Sequence, residues 1–418
     1  MDCARIAFKL REQIVEFSGE LSAGLPKVLR RFMTEMVYGI QARQSLRLTE
    51  ISRALGERDS VKKNVERLSR QLGRWGLWRL VTLRLLKMAA KRIGETTLLI
   101  LDISDLSKKY ARRMEYMARV RDGSEKEEGR GYWTLNVIGA EVGSARVLPL
   151  YGRLYSPQAP DWGSENAEIT RAIAEVSAAT EGRGIWVLDR GGDRGKLFDY
   201  LLDRDHRFII RLRGDRSLES GSLQSALGFA QDCPPLFVEY VAREESDKER
   251  PLRLEVGYRK VRLPSRPDLL TLVVVKGFGA EPLMLLTNLS IKRSRKSVWH
   301  VVAVYMSRWR VEETIRFLKQ SYALEDIRLL TYVRLQNMMA ILMAVAYFTS
   351  IYLGLRLKLR VLMRHVLRAA RRVFGVPDFR LYALADGIKH FLFSQSKGVR
   401  PALPPPKPQF VQRFLFDV

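Results

Sequence analysis

TLLILD, residues Thr97–Asp102, decides how the rest of the chain is read. Five residues with one polar member, closed by an acid, have the length and β-branched content of a short buried strand. GIWVLD, residues Gly184–Asp189, repeats the pattern 87 residues later. Ends of buried strands are where α/β folds place ligands and catalytic groups. A carboxylate in such a place is costly unless it is paired or bound to a metal. Two strands that both stop on aspartate therefore mark one end of a sheet as a site.

The neighbouring segments supply the remaining elements. GYWTLNVIGAEVG (Gly131–Gly143) and ARVLPLYGRLYS (Ala145–Ser156) flank a Gly-Ser turn and read as a hairpin. A helix is expected over about 164–180, another over about 196–203, and RFIIRLR (Arg207–Arg213) is a further strand. Strand, hairpin, helix, strand, helix, strand is the order of a ribonuclease H-like core, so the fold class is α/β. PLFVEYV, LRLEVGYRKVRL, DLLTLVVVKG and PLMLLTNL make the stretch from about 215 to 290 a β-rich insertion in that core. Helix follows from about 297 to 322 and on to about 374, and the Pro-rich tail is extended. Residues 1–95 read as helical throughout. Three parts result: an N-terminal helical DNA-binding domain, 1–95; the catalytic domain, 96–345; and a C-terminal helical domain with the tail, 346–418.

Within the first part, LTEISRALGERDSVKKNVERLSRQL (Leu48–Leu72) reads as a helix-turn-helix, with the turn at Gly56 and a cap at Asp59 or Ser60. In its second helix Val61, Val65, Leu68 and Leu72 form the apolar stripe. Lys62, Lys63, Arg67 and Arg70 lie away from it and suit a DNA groove.

A third acid comes from YMSRWRVEETIRFLK. On one continuous helix Tyr305, Arg308, Glu312 and Lys319 fall within a narrow arc at about 100° per residue, with Arg316 close by. Val304, Val311, Ile315 and Leu318 give the same helix a core stripe. Three carboxylates, Asp102, Asp189 and Glu312, converging from two strands and a helix suit two divalent cations roughly 3.5–4 Å apart. All-oxygen donors select Mg²⁺ or Mn²⁺. Such a pair activates a water or 3′-hydroxyl and stabilises the leaving oxygen of a phosphodiester displacement, with Tyr305, Arg308 and Lys319 on the DNA backbone. Asp105, three residues after Asp102, competes for the first position; Asp102 is favoured because it ends the apolar run directly. Asp193 reads as a turn or capping acid.

Composition points to the same partner. Seventy-two Lys and Arg stand against 46 Asp and Glu, a net charge of +26, which raises affinity for polyanions. Two cysteines, Cys3 and Cys233, make neither a disulfide framework nor a zinc cluster, and a reducing cytoplasmic setting is expected. The N-terminus shows no continuous apolar segment of a secretory signal. Asn337–Leu355 is the longest uncharged run, and it reads as a buried core helix rather than a membrane span. Seven basic residues and no acid between Arg356 and Arg372 suggest a second polyanion-facing surface.

Y-x2-R-x3-E-x6-K, as Tyr305, Arg308, Glu312 and Lys319, resembles the YREK signature of the insertion-sequence-four group of DDE transposases. LDISDLSKKYA is similar to that group's first-Asp region, and VLDRGGDRGKLFDYLLDRDHRFIIRLR to its second-Asp block. The resemblance runs from about 96 to 345. It implies a cut-and-paste transposase that binds terminal inverted repeats, cuts the ends with Mg²⁺ or Mn²⁺, two ions per active site, and joins them to target DNA. It also implies a homodimer in a synaptic complex, bacterial or archaeal and nucleoid-associated, with no membrane partner. One branch of the group forms hairpin ends held by a Trp of the insertion; the corresponding stretch here carries Leu283 and Met284. Competing readings are a transposase-derived DNA-binding protein without transposition activity and a ribonuclease H-like nuclease.

Overall fold

The computed structural model describes the chain except residues 1–2, 57–58, 122–127, 145, 242–250, 265, 355–365, 367–379, 395–397 and 400–418. The basic run 356–372, Val366 apart, and most of the Pro-rich tail lie outside the described residues. Chain contacts divide the protein into two units, Met1–Gln71 with Tyr352–Val418, and Leu72–Ile351.

In the first unit Ile6, Leu10, Ile14, Phe17 and Leu21 recur at helical spacing and are buried along α1 (Cys3–Leu21). α2 (Lys27–Arg43) crosses α3 (Leu48–Leu55) closely: a Cβ on Gly39 would meet Ile51 Cγ2 at 2.5 Å. Gly56 takes a left-handed conformation (φ 60°) after α3, and the Ser60 hydroxyl accepts from Lys63 N at 3.3 Å to start α4 (Val61–Leu72). The helix-turn-helix is thus formed, but its stripe differs from the expected one. Val61 is 40% exposed, whereas Asn64, Leu68, Gln71 and Leu72 are buried. Near the other end of the chain, the helix Leu381–Ser394 (α12, in the numbering completed below) packs on α1 and α2. The last described helix thereby joins the first, a pairing the sequence reading did not draw.

The second unit begins with α5 (Leu77–Ala90) and is built on one large mixed sheet. β1 (Leu98–Ser107) pairs antiparallel with β3 (Glu128–Ala140) along its whole length and parallel with β5 (Ile185–Leu188). β2 (Ala118–Arg121) and β4 (Val147–Tyr155) both pair with β3, and β5 pairs parallel with β6 (Phe208–Arg211). α6 (Glu165–Thr180), capped by the Ser164 hydroxyl, and α7 (Gly195–Leu202) provide the connections between the later strands.

The β-rich stretch is not a separate body. After the small hairpin β7 (Ser217–Glu219) and β8 (Leu223–Ser225) and the short α8 (Ala226–Gln231), four strands follow: β9 (Phe237–Val241), β10 (Leu252–Val261), β11 (Leu270–Lys276) and β12 (Leu283–Thr287). β12 pairs antiparallel with β6, so the order runs β2-β3-β1-β5-β6-β12-β11-β10-β9 and the stretch extends the central sheet. The physical reason is the free edge β6 would otherwise present, an apolar strand with unpaired backbone groups.

A second difference concerns the helix expected over 297–322. It is two helices, α9 (Arg295–Met306) and α10 (Trp309–Ser321). At the junction Arg308 N bonds Tyr305 O at 2.9 Å and Val311 N bonds Arg308 O at 3.0 Å, i→i+3 bonds of the 3-10 type, while the Ser307 hydroxyl donates back to Ala303 O at 2.9 Å. Serine bonding of this kind bends helices.

α11 (Tyr332–Ser350) is buried nearly all round against β4 and α5, as its uninterrupted apolar run requires. Among the described residues no helix is long and apolar enough to cross a membrane. Asn337 is its one fully buried amide. Its Nδ2 donates to Leu72 O (2.6 Å) and Arg74 O (2.8 Å), and its Oδ1 accepts from Trp78 N (2.7 Å). Asn337→Leu leaves all three backbone groups unmet, each costing about 1–3 kcal/mol. A loss of at least about 3 kcal/mol in chemical denaturation is the expected result, and a loss below 1 kcal/mol would show that water takes over these bonds.

Candidate active site

The parallel register of β1 and β5 pairs Leu98 with Ile185 and Ile100 with Val187. Carried two residues further, it brings Asp102 level with Asp189; β5 ends there as expected, but β1 does not stop on its aspartate and runs on, paired with β3, to Ser107. Both line one small cavity of ≈ 220 Å³, together with Trp133, Glu165, Gly191, Gly192 and Arg194. Asp189 is fixed by the Arg-Gly-Gly turn that follows it: Gly191 N donates to its Oδ1 at 2.8 Å. A Cβ on Gly191 would lie 2.9 Å from that same oxygen, which is why the turn carries glycine there. Asp193 is buried and accepts from Arg213 N (2.7 Å) and Arg216 Nε (2.6 Å). It closes the 3-10 turn Arg190–Gly192 as its C-terminal cap residue, and its side chain ties that turn to the segment after β6.

Glu312 sits in the first turn of α10 and forms an ion pair with Arg308, the residue at the helix junction. Arg308 Nη1 also lies 3.7 Å from Asp102 Oδ2. The guanidinium therefore stands among the acids. Burial works against its charge, and Glu312, Tyr305, Asp102 and Asp189 outweigh burial, so its pKa is raised. Asp102 is pushed from its ordinary 3.8 to about 7, first by burial and then by the charges of Asp189 and Glu312; Arg308 and the Ile103 N–H, which donates to Oδ1 at 3.1 Å, act the other way. Three mutually repelling carboxylates in a half-buried place need a counter-charge, and Arg308 supplies it. Among the described residues no three His, Cys, Asp or Glu side chains are grouped closely enough to hold a metal ion. Glu312 engages Arg308 rather than closing on the two aspartates.

The other basic residues divide between the two units. Tyr305 is buried at the end of α9. Lys319 Nζ lies 3.3 Å from Asp105 Oδ1 and 3.2 Å from Glu325 Oε1, so it ties α10 to β1. Asp105 is thereby engaged as the partner of Lys319, with Asp102 left to the cavity. Arg316 pairs with Glu313 on its own helix. In the first unit, Lys62, Lys63 and Arg70 of α4 are exposed, whereas Arg67 is half-buried and pairs with Glu35 of α2 at 2.6 Å.

Sequence reasoning missed two residues. Asn136 is the register partner of Asp102 on β3, 2% exposed, and its Oδ1 is buried without a hydrogen-bond partner among the described residues. Directly opposite side chains share a face about 5 Å apart, so an amide oxygen stands beside the first acid. Glu165, the first residue of α6, lines the cavity and pairs with Arg194. Hairpin register is what singles out Asn136, and a sequence does not display register. The Leu283 and Met284 stretch lies buried in β12, and Trp162 stacks on Tyr155 at 5.3 Å.

Residues 166–348 match the profile of a protein family described as a transposase DDE domain. That match supports a DDE transposase. The matched segment contains Asp189 and Glu312, while Asp102 precedes it. No curated protein matches the chain. The chain is also similar to a cryo-EM structure of a piggyBac transposase synaptic complex with hairpin DNA, at TM-score 0.45 and 11% identity, over 93% of this chain and 80% of that one.

The raised Asp102 fixes the sign of a pH effect. An acid with a higher pKa in the folded than in the unfolded state costs stability as it ionises, from its ordinary value upward, and the cost levels off above about 7. Asp102→Asn in EDTA is therefore expected to raise stability at pH 8 by up to about 4 kcal/mol, at about 1.4 kcal/mol per pKa unit. The gain shrinks to nothing as pH falls toward 4. Thermal melts across that range check it; a variant no more stable than wild type at pH 8 would show that Asp102 ionises freely.

Proposed function

We propose that this chain is a DNA transposase of the insertion-sequence-four group, which cuts the terminal inverted repeats of its element and joins them to target DNA. The observation that carries the reading is the pair of aspartates, Asp102 within β1 and Asp189 just past the end of the adjacent parallel β5, that line one cavity and are electrostatically coupled to Glu312 through a shared Arg308. Tyr305, Arg308, Glu312 and Lys319 straddle the α9–α10 junction in the order of the YREK signature. The sheet order β4-β3-β1-β5-β6, with β3 alone antiparallel to the first strand and β4, β5 and β6 parallel to it, supports a ribonuclease H-like core.

The donor set fits hard divalent cations. Asp102, Asp189 and Glu312 are oxygen donors, Asp102 is held back from ionising by burial and then by its like-charged neighbours, and the Oδ1 of Asn136, its register partner, lacks a hydrogen-bond partner. Mg²⁺ or Mn²⁺, two ions per site, would be held by the three carboxylates and would supply Lewis-acid activation of the attacking and leaving oxygens. Arg308 balances the carboxylates as they stand, and its planar fork suits two oxygens of a phosphodiester. Lys319 holds β1 and α10 in relation to one another through Asp105. Exposed Lys62, Lys63 and Arg70 on α4 are the part of the helix-turn-helix offered to a DNA groove. Action at two element ends calls for a homodimer, and the chemistry belongs beside chromosomal DNA, in the cytoplasm and nucleoid of a bacterium or archaeon.

The test uses the full chain, Mg²⁺ or Mn²⁺, and DNA carrying the ends that flank its gene. Cleavage at the element boundary is expected for wild type, with at least a thousandfold loss in Asp189→Asn and in Glu312→Gln, and joined products when target DNA is added. Binding of paired ends without metal-dependent cleavage would withdraw the enzyme and leave a DNA-binding protein derived from one. Cleavage without joining would favour a nuclease.

A further inference from the structure

Beyond the acids, β1 runs straight into a basic turn. Lys109 and Tyr110 stand at the corners of the turn Lys108–Ala111, closed by Ala111 N to Lys108 O at 3.1 Å, and Arg112 and Arg113 follow. Tyr110 is 90% exposed. With residues 325–330 on the opposite side, this segment encloses a cleft of ≈ 690 Å³.

The segment is clamped at both ends. Lys108 is buried; its backbone N bonds Arg130 O at 2.7 Å, and its ammonium is held by the carbonyls of Glu325 and Ile327. Glu115 N bonds Leu330 O at 2.9 Å, and the Glu115 carboxylate accepts from Tyr332 N at 2.8 Å. An aromatic ring fully in water and a run of cations, on a backbone tied down at each end, form a preorganised surface rather than a loose loop.

Charge decides what the surface takes. Five cations, Lys108, Lys109, Arg112, Arg113 and Arg328, line the cleft against two carboxylates, Glu325 and Asp326. Glu325 is already engaged by Lys319, and both carboxylates face the buried Lys108. Arg112 and Arg113 are exposed and have no carboxylate partner among the described residues. Lys319 bonds both Glu325 of the cleft and Asp105 of β1, three residues along the strand from Asp102.

We propose that this cleft is a DNA-binding surface flanking the candidate active site. Arg112 and Arg113 grip successive phosphates, and Tyr110, with the 61% exposed Leu330, lies against the sugar and base faces. Rows of cations beside an aromatic suit a polyanion whose repeating units have flat apolar faces. The inference rests on the transposase reading for the identity of the polyanion, and adds residues that the Asp, Glu and YREK positions do not include.

Binding is measured apart from chemistry. Full-length Asp189→Asn protein in EDTA is titrated onto a fluorescent DNA duplex carrying the element end with a short single-stranded extension, whose bases are open to stacking, at several salt concentrations. Each phosphate contact contributes about 0.9 to the slope of log Kobs against log salt. Adding Arg112→Gln with Arg113→Gln is expected to lower that slope by close to two units. Tyr110→Ala should weaken binding roughly tenfold with the slope unchanged, since it removes stacking and no charge. Lys87→Gln with Lys91→Gln on the α5 end removes the same charge elsewhere and should leave the slope in place. A slope and affinity unchanged by the cleft variants would overturn the proposal while leaving metal-dependent cleavage by wild type to stand. An equal drop in the α5 control would overturn it too, because net charge would then explain the effect. A parent protein that binds no duplex at all would sink both the cleft and the transposase reading.

Discussion

β1 is the strand on which the second unit depends. It is paired antiparallel to β3 along its whole length and parallel to β5 over Leu98–Ile100, so its position is fixed by two independent registers. One register sets Asn136 beside Asp102, and the other sets Asp189 level with it. A one-residue slip in either would turn a polar side chain from the cavity to the other face of the sheet. The placement of the acids is thus a property of the sheet ladder, which a long buried strand enforces more rigidly than a loop could.

The local charge balance is built on that frame. Burial and the neighbouring carboxylates together raise the pKa of Asp102, burial more than Asp189 or Glu312. Arg308 answers Asp102 from the α9–α10 junction, while Lys319, about three turns further along, answers Asp105. Two successive acids of β1 are therefore matched by two cations of one helix. This pairing explains why Asp105, so near Asp102 in sequence, is drawn into a structural contact and leaves the cavity to the other acid. Just past the end of β1, Lys108 is buried with its ammonium on the Glu325 and Ile327 carbonyls, and Arg112 and Arg113 after it are exposed.

Local pattern was enough to locate much of this. TLLILD and GIWVLD both begin strands where the pattern puts them, but only the second ends at its aspartate; the first runs five residues past Asp102 because β3 goes on pairing with it. Gly56 and Ser60 mark the helix-turn-helix by chemistry confined to one or two residues, and the uncharged run from Asn337 is a core helix. What sequence did not display is pairing between distant segments. β12 joining β6 turns an apparent insertion into part of the central sheet, and nothing in PLMLLTNL names its neighbour. Arg67 looks like any outward cation on α4 until Glu35, 32 residues earlier, is placed beside it. Asn136 is an ordinary strand residue without the register. The helix break at Ser307–Arg308 carries no Pro or Gly, so periodicity ran through it unhindered.

That break has a mechanical consequence. Tyr305 belongs to one helix and Glu312 to the next, with Arg308 at the joint, where 3-10 bonds replace the regular ladder. On an unbroken helix the spacing of these side chains would be fixed by the helical repeat. Across a joint it is set by the angle between two rods, each anchored by its own packing, α9 against β10 and β11, and α10 against β1 and β3. The third acid is carried on a lever whose fulcrum is the arginine that neutralises it, so a small rotation of α10 alters charge balance and carboxylate separation in the same movement.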